Sequence, residues 1–196
     1  SSLIVSNWIL EPYPHCFGTD FFSGNQYQTM LNNLPSDKEM RDADPDYNHP
    51  YKSHSRPVCL RRSLNEDTQN LLWKKVFKYI KSQYPKERTS VILYHSLPGF
   101  SLWPHTDFKT KKETTVYYLT DKEIPDIGTA IFVAKKEFEI RDPEGTYHCN
   151  PDCFDIVKIA PFIPNGFMTF KRTNNSFHGV LPCPVDRWAI YFTRYC

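Results

Sequence analysis

The sequence predicts a mainly β fold, a sandwich or distorted barrel with helices packed on one face. Three observations point there. Six short β-branched and aromatic segments occupy the second half of the chain, at 90–97, 113–120, 128–134, 154–162, 166–172 and 187–195. Turn signals such as LPGF, PDIG, DPEG, RTNN and PCPVD separate them. A strongly amphipathic segment precedes them, supplying a helical layer whose apolar stripe needs a sheet to cover it.

Taken in order, residues 3–10 (LIVSNWIL) read as a strand. Residues 19–35 (TDFFSGNQYQTMLNNLP) read as a short helix that stops before Pro35. Residues 36–57 are charged and turn-rich, which predicts a long loop; with His49, His54, Arg41 and Arg56 it is a lid candidate as well as a surface loop. The clearest helix is expected at 64–84. Ser63 and Glu66 form the S-x-x-E pattern of a capping box, apolar residues at 72, 73, 76, 77, 80 and 84 share one face, and Pro85 ends it. The 196-residue chain is most simply one domain, with 1–89 as support and 90–196 as the β core.

Composition bounds the function. With 40% hydrophobic and 23% charged residues the chain is globular, and 16 prolines against 7 glycines favour firm turns over a helical bundle. A formal charge of +2 lacks the basic footprint of a protein that tracks phosphates; KTKK at 109–112 and KRT at 171–173 read as solvated loops. The six cysteines are scattered. HCNPDC, at 148–153, has no second Cys or His pair at finger spacing to close a tetrahedral zinc site. No 18-residue apolar run or signal-peptide pattern occurs, so a reduced, cytoplasmic location is expected, with no membrane partner and no assigned oligomeric state.

The chemistry concentrates around WPHTDFKT. Alone, His105-Thr106-Asp107 fits a polar turn at a strand end. In an extended segment, however, residues 105 and 107 project to one face, so an imidazole and a carboxylate can converge on one ion. His178, after the GFMTF strand and the RTNN turn, is the best candidate for a third ligand. Two histidines and one carboxylate hold non-haem Fe(II) on one octahedral face and leave the other positions open. Arg187, nine residues later, carries a planar guanidinium suited to bidentate capture of a carboxylate.

HTD (105–107), YYLT (117–120), IGTAIFV (127–133), SFHGV (176–180) and RWAIYF (187–192) occur in this order. In this the sequence resembles the Fe(II)/2-oxoglutarate-dependent dioxygenases, and within them the prolyl-hydroxylase-like branch. The resemblance covers roughly residues 90–196. It implies a double-stranded β-helix, the jelly roll of cupin-like proteins. It implies His105, Asp107 and His178 as metal ligands and catalytic residues, with Arg187 on the distal carboxylate of 2-oxoglutarate. Tyr118 and Tyr94 are two candidates to give that carboxylate a hydroxyl. The implied cofactors are Fe(II), 2-oxoglutarate as cosubstrate and O₂. The implied activity is hydroxylation of a small molecule, a free amino acid or a peptide side chain, with release of succinate and CO₂. Halogenating relatives replace the metal carboxylate with a small residue, so Asp107 favours hydroxylation. Trp103 and Phe108, beside the first two ligands, are candidates for a substrate pocket wall as well as for core. A non-catalytic jelly-roll binding module that keeps the metal site, and a cupin-like enzyme using another metal, are the rival readings.

Overall fold

The structure, a computed structural model, describes residues 7–45, 60–136 and 148–196. Two antiparallel sheets face each other. The larger is built from β1 (His15–Thr19), β2 (Arg61–Asn65), β3 (Thr89–Ser96), β5 (Lys111–Leu119), β8 (Gly166–Lys171) and β10 (Arg187–Tyr195), in the order β1-β8-β5-β10-β3-β2. The smaller contains β4 (Leu102–His105), β6 (Ala130–Ala134), β7 (Phe154–Ile159) and β9 (His178–Val180), in the order β4-β9-β6-β7. The arrangement is jelly-roll-like, with three helices on the outer face of the larger sheet.

That sheet is covered on both faces, which is why its central strands read as continuous apolar runs. In β5, Val116 and Tyr118 point between the sheets while Tyr117 and Leu119 point to the helices. In β10, Ala189 faces inward, and Ile190 and Phe192 face outward. Two cores result. The inner one joins Phe100, Leu102, Met168, Phe170 and Val180 to those inward residues. The outer one packs Trp73, Phe77 and Ile80 of α3 (Leu71–Lys81) against Val91, Leu93, Ile190 and Phe192. Burying each of these three helix side chains contributes roughly 1.5–3 kcal/mol.

The N-terminal region departs most from the sequence expectation. The helix predicted at 64–84 is shorter, because residues 61–65 instead form the edge strand β2 and Asn70 caps α3 by accepting from the Trp73 amide. Ser63 and Glu66 are not a capping box. The Ser63 amide and hydroxyl donate to Asp44, while Glu66 accepts from the Val91 amide and Lys81. The capping boxes lie at Ser23–Gln26, opening α1 (Gly24–Asn32), and at Ser36–Glu39, opening α2 (Asp37–Ala43). Helix α2 therefore begins what the sequence presents as a loop, and Arg41 pairs with Asp37 on it. His49, His54 and Arg56 lie outside the described residues. β1 is a strand where the sequence indicates none, while β4 supplies the strand at whose end the HTD turn sits; of the strand expected at 3–10, only 7–10 are described, with Ile9 bridging His15. β7 ends at Ile159, where Ala160 turns to donate its amide to Thr129. No helix among the described residues is long and apolar enough to cross a membrane.

Candidate metal centre

His105 and His178 are brought together by strand pairing. β4 and β9 are neighbours in the smaller sheet, and these two residues are register partners, with ring centroids 4.3 Å apart. β9 also pairs with β6, Ile131 lying opposite His178, so this strand is held from both sides. β4 ends at His105, so Asp107 reaches the site from the following loop rather than along a continuing strand. It is fixed there by Thr114 of β5, which donates to Oδ2 at 3.2 Å, and by Arg172, whose Nε donates to the Asp107 carbonyl at 3.1 Å.

Asp107 Oδ1 is the oxygen that faces the histidines. It lies 3.8 Å from His105 Nε2 and 3.6 Å from His178 Nε2. Ligand atoms of the three residues all fall within 4.8 Å of one another, and all three residues are buried. Each imidazole meets a backbone carbonyl through Nδ1: His105 that of Trp103 at 2.8 Å, His178 that of Ser176 at 2.9 Å. A carbonyl only accepts, so the proton sits on Nδ1 and the Nε2 lone pair points into the cluster. Burial lowers the pKa of both rings, well below the ordinary range for His105, keeping them neutral as ligation requires. Burial alone would raise the Asp107 carboxyl. His178, the Lys111 ammonium and hydrogen bonds from Lys111 and Thr114 outweigh it and hold the group below the usual carboxylate value.

Two residues that the sequence did not connect with this cluster lie beside it. Lys111, part of the KTKK stretch read as solvated, places Nζ 3.4 Å from Asp107 Oδ1. His148, from HCNPDC, lies 4.3 Å from the His105 ring, and the adjacent Cys149 amide donates to the Pro104 carbonyl. His148, His105, His178 and Phe170 thus form a run of rings spaced 4.3 Å apart.

Arg187 opens β10 and is 1% exposed. Its Nε donates to the Ile127 carbonyl at 2.6 Å and its Nη1 to the Tyr191 hydroxyl at 3.3 Å, while Nη2 is buried with no partner. An unpartnered buried guanidinium nitrogen is costly unless an anion meets it. Tyr118 lies beside it, with its ring centroid 5.8 Å from Arg187 Cζ. Its hydroxyl, however, donates to Thr129 Oγ1 at 2.8 Å and accepts from the Thr129 amide at 3.1 Å. Burial, the largest influence, pushes that phenol up to about 12. Tyr94 packs edge-on against Tyr191 and lies under the Arg61 guanidinium, 3.9 Å from Cζ to the ring. Of the two pocket candidates, Trp103 is half-buried and orients His105 through its carbonyl, and Phe108 is 54% exposed.

Two neutral imidazoles and a carboxylate, arranged with their donor atoms converging, suit a non-haem iron. The buried, unpartnered Arg187 nitrogen suits a dicarboxylate cosubstrate. The residues present therefore fit both groups.

No protein-family model and no curated protein matches the sequence. Among solved structures, the chain is similar to a prolyl-4-hydroxylase from Pseudomonas putida, at 12% identity and a TM-score of 0.61, over 92% of this chain and 91% of that one. It is also similar to a prolyl hydroxylase from Trichoplax adhaerens in complex with a hypoxia inducible factor oxygen degradation domain peptide fragment. There the identity is 14% and the TM-score 0.57, over 92% of this chain and 83% of that one. The chain resembles the prolyl-hydroxylase-like branch, and the likeness shows that it has that fold.

Proposed function

We propose that the protein is an Fe(II)- and 2-oxoglutarate-dependent oxygenase that hydroxylates an unactivated C–H bond of a small molecule, a free amino acid or a peptide side chain. The observation that carries this reading is the convergence of His105, Asp107 and His178 within 4.8 Å on a prolyl-hydroxylase-like fold. The two facing sheets are then a double-stranded β-helix, with residues 90–196 as the catalytic core and 1–89 as its support in one domain.

In this reading His105, Asp107 and His178 hold the metal, and Arg187 takes the far carboxylate of 2-oxoglutarate. With O₂, iron and cosubstrate supply the oxidising chemistry, releasing succinate and CO₂. The protein's own contribution is orientation. The Trp103 and Ser176 carbonyls fix the ring tautomers, and Thr114 holds the outer oxygen of Asp107. The inner core keeps the site largely dry. A peptide is a reasonable substrate class, since one structural neighbour was captured with a peptide fragment.

His178→Ala tests the ligand set. It removes one donor from a three-residue pairing element, so the domain should stay folded while Mn(II) binding drops by at least a hundredfold and succinate formation ceases. Retained metal affinity in a folded His178→Ala protein would place the metal elsewhere.

A further inference from the structure

We infer that Ser96 is a second donor to the carboxylate that Arg187 is placed to capture, an inference that rests on the proposed use of 2-oxoglutarate. Ser96 is the last residue of β3 and is fully buried, and its Oγ has no hydrogen-bond partner. It is the register partner of Arg187 across the β3–β10 pairing. Register partners on antiparallel strands point to the same face, with their Cβ atoms about 4.5–5.5 Å apart. The unpartnered hydroxyl and the unpartnered Nη2 therefore belong to neighbouring side chains on the inner face of one sheet.

The charge around them specifies the ligand. Arg61 of β2 pairs with Ser96 from the other side, so the hydroxyl stands in a row between two arginines. The Arg61 guanidinium lies over the Tyr94 ring at 3.9 Å and the Phe100 ring at 5.5 Å. A hydroxyl in that position meets an anion by donating its proton. A carboxylate has two oxygens, and it can take Arg187 Nη2 on one and Ser96 Oγ on the other, relieving both buried groups at once. Tyr118 is less suited to that task, because Thr129 already occupies its hydroxyl both as acceptor and as donor.

The test compares two 2-oxo acids on wild type and Ser96→Ala. Fe(II)-loaded protein is titrated anaerobically by calorimetry with 2-oxoglutarate and, separately, with 2-oxobutyrate, which lacks the far carboxylate. Ser96→Ala is expected to weaken 2-oxoglutarate binding roughly tenfold and to leave 2-oxobutyrate binding unchanged. The thermal midpoint of the variant without ligand should be equal to or above wild type, because the substitution deletes an unpartnered buried hydroxyl. Undiminished 2-oxoglutarate affinity in Ser96→Ala overturns the inference alone. Equal losses for both acids, or a lowered midpoint, assign Ser96 a purely structural role and also overturn it. Absence of 2-oxoglutarate binding by the wild type overturns the oxygenase reading itself.

Discussion

Lys111 shows how one side chain sets the electrostatics of the centre. Its ammonium lies 3.4 Å from Asp107 Oδ1, the oxygen that also faces both histidines, and its side chain is only 26% exposed. Unit charges about 4 Å apart interact by about 4 kcal/mol at an effective dielectric near 20. A like-charged ammonium so close to a bound divalent ion lowers the affinity of the site, and partial exposure reduces the penalty. Lys111→Met should therefore tighten Mn(II) binding roughly tenfold in a calorimetric titration. An unchanged or weaker affinity would mean the ammonium supports the ligand geometry more than it opposes the ion. Such a role was not legible in the sequence, where Lys111 is one of three lysines in KTKK and nothing in the spacing distinguishes the one that turns inward. The convergence of His105, Asp107 and His178 was legible because the metal chemistry proposed for them requires specific residue types. Tyr191, which meets Arg187, has a type equally at home in core packing.

At the scale of elements, the site depends on β9, a strand of three residues held between β4 and β6. Its middle residue is Gly179, packed so closely that a Cβ there would run into the Leu102 carbonyl oxygen and touch the Phe132 ring. Gly179→Ala should force β9 away from β4, costing about 1–3 kcal/mol of stability and weakening Mn(II) binding as His178 moves off its partner. Gly24→Ala is the control, since a Cβ there meets nothing within 4 Å. Urea unfolding and metal titration of both variants check this; a neutral Gly179→Ala would contradict the close packing. β4 and β9 offer four and three residues, too few for an alternating pattern to register, so what marks them in the sequence is the HTD turn at the end of one and the RTNN turn before His178 at the start of the other. The long strands β3, β5 and β10 were read at nearly their observed positions because both their faces are apolar. The predicted helix start failed on a local coincidence: Ser63 and Glu66 have capping-box spacing, but Asp44 recruits Ser63 into an edge strand.

At the scale of the whole molecule, the larger sheet is the wall between a support core and a site core. Tyr27 of α1 links the two, its hydroxyl donating to the Tyr118 and Thr120 carbonyls at the end of β5 and accepting from the Thr120 amide. The opposite end is tied by Arg194 of β10, which pairs with Glu87 before β3 and with Glu113 of β5. The hydrogen bond from Arg194 is the main reason Glu87 lies below its ordinary 4.5. A depressed carboxyl contributes stability above its unfolded pKa and loses it as pH falls through the folded value. Wild type should therefore lose stability over a pH window that opens near 4.5 and extends below it. Glu87→Gln should start less stable, by less than about 1 kcal/mol because the pair is partly exposed, and lose less over that window. Parallel urea midpoints for the two proteins across the window would contradict the role given to this pair. Whether the proposed iron and 2-oxoglutarate site lies where the smaller sheet brings His105 and His178 together opposite Arg187 of the larger sheet is tested most directly by adding Fe(II) and then 2-oxoglutarate to the protein without oxygen. A weak visible charge-transfer band should appear that requires both additions and is lost in His178→Ala. Folded wild-type protein that shows no band at saturating Fe(II) and 2-oxoglutarate would contradict that placement.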